Sequence, residues 1–144
     1  MASSKILVPV DGSAASLRAL DFAVQRLARG DGDSLVLLYV QNFGSIDIAG
    51  ASAVLPDYFS NAVSQASTQA LSDAVTKCES ARVAFKTIAG AGRIAPTIVD
   101  VARDEGVEQI VMGTRGLGGI QGLLLGSVAT QVIHLAEVPI TLIK

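Results

Sequence analysis

Along this chain, short unbroken apolar runs alternate with longer stretches in which apolar residues return every three or four positions. Ile6-Leu7-Val8-Pro9-Val10 and Leu35-Val36-Leu37-Leu38-Tyr39-Val40 are of the first kind. Neither shows polar alternation, which is the pattern of a strand covered by helices on both faces. Val83 to Ile88, Gln109 to Met112 and Pro139 to Ile143 add three further strands. After the first strand, Leu17, Leu20, Val24 and Leu27 recur at helical spacing while Arg18, Asp21, Gln25 and Arg26 take the other faces. That periodicity predicts a helix from Ala14 to Arg29, stopped by Gly30-Asp31-Gly32.

A Gly/Ser/Ala-rich stretch from Gln41 to Leu55 reads as a loop. Pro56 then opens a long helix through Phe59, Val63, Ala66, Ala70, Ala74 and Cys78. Gly90-Ala91-Gly92 reads as a turn, Pro96 as the opening of a helix carrying Ile98, Val99 and Ala102, and Gly106 as its end. Ser127 stands where a cap is needed for a last helix reaching about Ala136. Strand and helix alternate four times before a closing strand. The expected architecture is one α/β domain over residues 1–144, an open five-stranded parallel sheet with right-handed crossovers and helices on both faces, Rossmann-like. Such sheets bind ligands beyond the carboxyl ends of two neighbouring strands whose crossovers run to opposite sides.

With 144 residues, half of them apolar and 17% charged, the chain can bury a core without staples. A net charge of −2 with scattered basic residues argues against a duplex nucleic-acid footprint. Cys78 is the only cysteine, which fits a reducing compartment and excludes an intrachain disulfide. No apolar run approaches the roughly 18 residues of a membrane span, and the first residues lack a secretion-signal core, so the reading is a cytoplasmic protein.

The chemistry gathers after strand four. Five of the 14 glycines lie between Gly116 and Gly126, in a stretch that ends on Ser127 and leads into a helix. Glycines let backbone amides approach phosphate oxygens, and a helix start directs further amides at an anion. Arg115 adds a cation. A Walker loop would need Gly-Lys-Ser or Gly-Lys-Thr, and a Rossmann fingerprint would follow the first strand, so neither is present. Composition alone fits a phosphate cradle or a plain surface crossover equally.

The spacing decides between them. Gly113, Gly116, Gly126 and Ser127 form G-x2-G-x9-G-S, which resembles the ATP-binding signature of the universal stress protein family. Ile6 to Ser13 is similar to that family's first strand and turn, and Val138 to Ile143 to its closing strand. The resemblance implies sheet order 3-2-1-4-5, with strands one and four side by side, and an ATP site built from Pro9, Val10, Asp11, Val40, Gly113, Arg115, Gly116, Gly126, Ser127 and Val128. Val40 would offer backbone groups to the adenine edge, with Pro9 and Val10 packing nearby. Asp11 would take a ribose hydroxyl or help hold Mg2+ between phosphates. Asp11 and Ser13 are both competent caps for the first helix, and capping by Ser13 would leave Asp11 to the ligand. Residues 119–122 read Gly-Ile-Gln-Gly where many relatives carry a basic residue, which leaves Arg115 as the cation of the loop. The resemblance also implies a homodimer through Ile140, Thr141, Leu142 and Ile143, which would cover an open sheet edge.

These observations imply a regulatory module that binds ATP. A slow ATP-hydrolysing or phosphotransfer enzyme is the alternative, with Asp11 and Arg115 as its only candidate groups. A flavin carrier, as on related sheets, is a third reading, although a dinucleotide would need more covering surface than this chain supplies. His134, seven residues beyond Ser127 and about 10 Å along the helix, reads as surface or interface rather than catalytic.

Overall fold

Each unbroken apolar run becomes a strand with one set of side chains buried on either face of the sheet. A computed structural model describes residues 3–41, 57–115 and 125–144. Its elements run β1 (Lys5–Pro9), α1 (Ala14–Ala28), β2 (Ser34–Gln41), α2 (Asp57–Ala81), β3 (Phe85–Ala91), α3 (Ile94–Glu105), β4 (Gln109–Gly113), α4 (Ser127–Leu135) and β5 (Ile140–Ile143). The strands pair in parallel in the order β3-β2-β1-β4-β5, which is the expected architecture. β1 and β4 are therefore neighbours, with Leu7 opposite Ile110.

The two faces have separate cores. On one, Ile6, Val8, Val10, Leu35, Leu37 and Val111 pack against Ala19, Leu20 and Ala23 of α1 and Ala74 and Cys78 of α2. On the other, Leu7, Val36, Leu38, Ile110 and Met112 pack against Ala95, Ile98 and Ala102 of α3 and Ala129 and Val132 of α4. Burying a side chain such as Leu20 or Ile98 contributes roughly 1.5–3 kcal/mol, so these layers hold the sheet. The division also fixes the crossovers. α1 and α2 lead from β1 outward to β3 on one face, and α3 and α4 lead to β4 and β5 on the other. The crossovers thus diverge between β1 and β4, the kind of switch point at whose carboxyl edge open α/β sheets bind their ligands.

Polar ties set the remaining register. Arg26 Nη1 of α1 donates to Gln109 Oε1 at 2.7 Å, and the Gln109 amide in turn donates to Thr141 Oγ1, linking α1, β4 and β5. Cys78, on the core-facing side of α2, is fully buried. Burial, with a smaller contribution from Glu79, pushes its thiol up to about 11, as befits an inert core residue.

Several expected boundaries move. β3 is not Val83 to Ile88: Val83 closes the end of α2 by donating to Cys78 O, and the strand extends to Ala91. Gly90 and Ala91, expected in a turn, pair with Val40 and Gln41. Gly90 suits the strand because a Cβ there would lie 3.2 Å from Thr97 Cγ2, so α3 approaches closely. Gln41, expected to begin a loop, is the last residue of β2. The rest of that loop and Pro56 lie outside the described residues. Pro96 is the third residue of α3, not its first, which costs nothing because amides there have no intrahelical acceptor.

Arg82, just past α2, adopts φ 58° and is the one non-glycine residue with positive φ among those described. A side chain in the left-handed region is strained by roughly 1–2 kcal/mol. Arg82→Gly is expected to raise unfolding stability by about 0.5–1 kcal/mol, since glycine's larger unfolded-state entropy offsets part of the relief. A lowered midpoint in urea would contradict that account.

Candidate functional site

Strand β1 ends on Pro9, and the turn Val10-Asp11-Gly12-Ser13 leads into α1. Val10 still donates to Leu38 O of β2 at 2.8 Å, and its side chain is buried in the α1/α2 core. A ligand could therefore reach only its carbonyl. Gly12 has φ 84°, a left-handed turn natural to glycine. Ser13 caps α1, its Oγ accepting from Ser16 N at 3.2 Å. The expectation that this leaves Asp11 to a ligand needs correction. Asp11 Oδ1 accepts from Ser13 N at 2.8 Å, so the carboxylate helps shape the turn as well.

At β4 the chain passes through Gly113 into Thr114 and Arg115. Gly113 has a packing role that the spacing alone did not reveal. A Cβ built there would lie 2.8 Å from Ala15 Cβ and 2.9 Å from Ala15 C, so only glycine lets α1 cross β4 at this distance. Thr114 is buried and doubly tied: its N–H donates to Ile143 O of β5 at 2.9 Å, and its carbonyl accepts from Gly126 N at 2.7 Å. The second bond closes the base of the glycine-rich loop. Gly116 and residues 117–124 lie outside the described residues.

Gly126, not Ser127, is the N-cap of α4, with φ −76° and ψ 169°. Ser127 is the first helical residue and is exposed, which corrects its expected capping role. No side chain caps this helix, so its first amides are directed outward without an intrahelical acceptor. A Cβ at Gly126 would sit 3.4 Å from Thr114 O and 3.5 Å from Arg115 Cα, an ordinary fit. Among the described residues neither the backbone angle nor the packing demands glycine at that position.

The described candidates fall into two groups. Pro9, Asp11 and Val40 stand at or just past the ends of β1 and β2. Gly113, Arg115, Gly126, Ser127 and Val128 stand between β4 and α4. The adjacency of β1 and β4 brings both groups to one edge of the sheet. Val40 and Val128 pack on the same α3/α4 core. Arg115 is exposed. It is not the only cation at this end: Arg18, one turn into α1, donates from Nε to Lys144 O at 2.7 Å beside the end of β5. His134 lies exposed in the last turn of α4, away from these groups.

Sequence reasoning missed Tyr39 and Gln41. The Tyr39 hydroxyl donates to Gln41 Oε1 at 2.9 Å, at the carboxyl end of β2. Burial, and after it the Asp11 carboxylate, push the Tyr39 phenol above its ordinary value, so it keeps its proton and remains a donor. The available signal was two polar-tipped residues, Tyr39 and Gln41, alternating at the end of an otherwise apolar run.

Among the described residues no group of three or more His, Cys, Asp and Glu could hold a metal ion alone, and no helix is long and apolar enough to cross a membrane. The sequence profile described as the universal stress protein family matches residues 3–144. Universal stress protein YxiE of Bacillus subtilis is 31% identical over 147 aligned positions, covering 98% of this chain and 99% of the relative. The solved structure of the hypothetical protein MJ0577 superposes with a TM-score of 0.83 at 25% identity, over 100% of this chain and 97% of that one. Two more distant structures share the fold. A universal stress protein family protein of Arabidopsis thaliana, solved with AMP bound, has TM-score 0.70 and 21% identity over 98% of this chain and 91% of its own. A universal stress protein in complex with cAMP has TM-score 0.69 and 23% identity over 100% and 98%. The glycine spacing, the sheet order and the full-length match agree: this chain belongs to the universal stress protein family.

Proposed function

We propose that this chain is a stress-response regulatory module that holds an adenine nucleotide, ATP in the cell, in the crevice between β1 and β4, and that its output is occupancy rather than turnover. One observation carries the reading: the glycine-rich loop is closed at its base by the Gly126–Thr114 hydrogen bond and feeds directly into the uncapped start of α4. Outward amides of this kind are suited to phosphate oxygens. Gly126 supports it further, since no neighbour among the described residues requires glycine there. The relatives with bound AMP and cAMP favour an adenine ligand.

In this reading the amides of Gly116, Ser127 and Val128 take the phosphates, Gly126 holds the base of the loop through Thr114, and the Ser127 hydroxyl and Arg115 stand beside them. Gly113 lines the end of β4, Val40 offers its backbone to the adenine edge, and Pro9 packs near it. Mg2+ is commonly held by one or two carboxylates plus phosphates and water, and Asp11 fits that donor set. When bound, the ion would neutralise phosphate charge. Two copies would pair along β5, an edge strand whose residues Ile140 to Ile143 are half-buried, in a reducing cytoplasm.

Identifying the small molecules released from the purified protein tests the reading. An adenine nucleotide is expected; a chain that carries none and gives no calorimetric signal with ATP or AMP overturns it. Asp11→Ala is expected to weaken ATP binding in both EDTA and magnesium, with about a further tenfold loss in magnesium. Equal losses in the two buffers would remove the metal role and leave the ribose contact.

A further inference from the structure

Three polar side chains among the described residues are buried: Ser13, Ser16 and Thr114. The first two stand at the start of α1 and are used there. Ser13 Oγ accepts from Ser16 N at 3.2 Å, and Ser16 Oγ donates to Ser13 O at 3.0 Å. Thr114, 8% exposed, stands at the start of α4, and among the described residues its hydroxyl makes no hydrogen bond. No side-chain oxygen sealed from the surface lacks a partner among those residues, so the small part that Thr114 exposes includes its oxygen. A buried hydroxyl ordinarily has a partner, and one that opens to the surface at a helix start is placed to take it from a ligand. We propose that Thr114 is a further phosphate contact of this site, its hydroxyl donating to a phosphate oxygen that the first amides of α4 also hold. This rests on the nucleotide reading above and adds a side chain that tells a nucleotide from its nucleoside.

Strand alternation aims the side chain. Ile110 and Met112 of β4 point into the α3/α4 core, and a Cβ on Gly113 would meet Ala15 of α1 on the opposite face. Thr114 continues the ladder, its N–H donating to Ile143 O at 2.9 Å, so its side chain returns to the face of α4. The bond from Gly126 N to its carbonyl, at 2.7 Å, holds the first turn of α4 against it. The start of α3 is a useful contrast. It also lacks a side-chain cap, but Thr97 Oγ1 there donates to Arg93 O at 2.6 Å, and α3 buries no polar side chain among the described residues. A donor hydroxyl beside helix amides suits an anion, since bonds to a charged acceptor are about twice as strong as neutral ones.

The test measures AMP and adenosine by calorimetry on the full chain and on Thr114→Val and Thr114→Ser. Wild type is expected to bind AMP at least about tenfold tighter than adenosine. Thr114→Val, which keeps the shape and removes the hydroxyl, should weaken AMP about tenfold and leave adenosine within about twofold. Thr114→Ser, which keeps the hydroxyl, should hold AMP within about threefold of wild type. Because no internal bond is lost, the urea midpoint of Thr114→Val should not fall. A lowered midpoint would mean that the hydroxyl already has a partner within the protein and would overturn the assignment. So would an AMP affinity that Thr114→Val leaves unchanged, an equal loss on both ligands, or a Thr114→Ser variant as weak as Thr114→Val. A wild-type chain that binds AMP no tighter than adenosine overturns the phosphate contact and leaves adenine recognition standing. One that binds neither overturns the nucleotide reading and this inference together.

Discussion

Replacing Gly113 by alanine is expected to destabilise the chain by about 3 kcal/mol, the upper part of the range for forcing a methyl group into a packed interior. The added Cβ would meet Ala15 at 2.8 Å from its Cβ, 2.9 Å from its carbonyl carbon and 3.1 Å from its carbonyl oxygen. Two of those three atoms are backbone, so no rotamer change relieves the contact; α1 must move away from β4. That motion would disturb the shared core, where Ala19 and Leu20 lie against Val111. Urea unfolding followed by far-UV dichroism measures the loss. A paired substitution sharpens it: Ala15→Gly removes only the Cβ contact, so Gly113→Ala combined with Ala15→Gly should recover a minor share of the stability. An undiminished midpoint for Gly113→Ala would mean that this glycine serves ligand approach alone and that the helix-to-strand contact is looser than described.

The second large effect is on binding and leaves the fold standing. Gly116→Val together with Gly126→Val is expected to weaken ATP binding by at least about a hundredfold while the far-UV dichroism stays native, because branched side chains block backbone approach to phosphate. At Gly126 the protein itself tolerates a Cβ, with φ −76° and the nearest atom at 3.4 Å. Stability and affinity should therefore separate, in contrast to Gly113, where they fall together. Calorimetry decides the matter. Wild-type affinity in a folded double variant would remove the phosphate-loop assignment.

That contrast also shows how far the sequence could be read. The glycines at 113 and 126 occupy equivalent places in the G-x2-G-x9-G-S spacing, yet one is demanded by α1 and the other by nothing in the described protein. A motif records that a side chain is absent without recording which neighbour excluded it. The sheet was legible because burial on both faces leaves an unbroken apolar run, as in Leu35 to Val40, and because β-α alternation admits few topologies. β3 was misplaced because an edge strand pairs on one side only, so its pattern is weaker and its Gly90-Ala91 end imitates a turn. The α4 cap was misassigned because Ser127 is a good capping residue by type, whereas the bond from Gly126 N to Thr114 O fixes the extended residue one position earlier. Tyr39 and Gln41 escaped notice because what joins them is a side-chain hydrogen bond, which no local pattern encodes.

The bond from Gly126 N to Thr114 O has a thermodynamic consequence beyond geometry. Eleven residues separate the two partners, and bringing the ends of such a loop together costs about 2 kcal/mol of chain entropy, growing only slowly with loop length. Here the ends are held by β4, by the bond from Thr114 N to Ile143 O and by α4 packing through Ala129 and Val132. That entropy is consequently lost when the chain folds. An anion arriving at the loop meets ends that are already joined, so its binding energy does not have to supply that closure. Insertions within the loop should on this account lower folding stability gradually, by about 0.1–0.2 kcal/mol for each added pair of residues, while cutting the loop's base apart should weaken binding by the full closure cost.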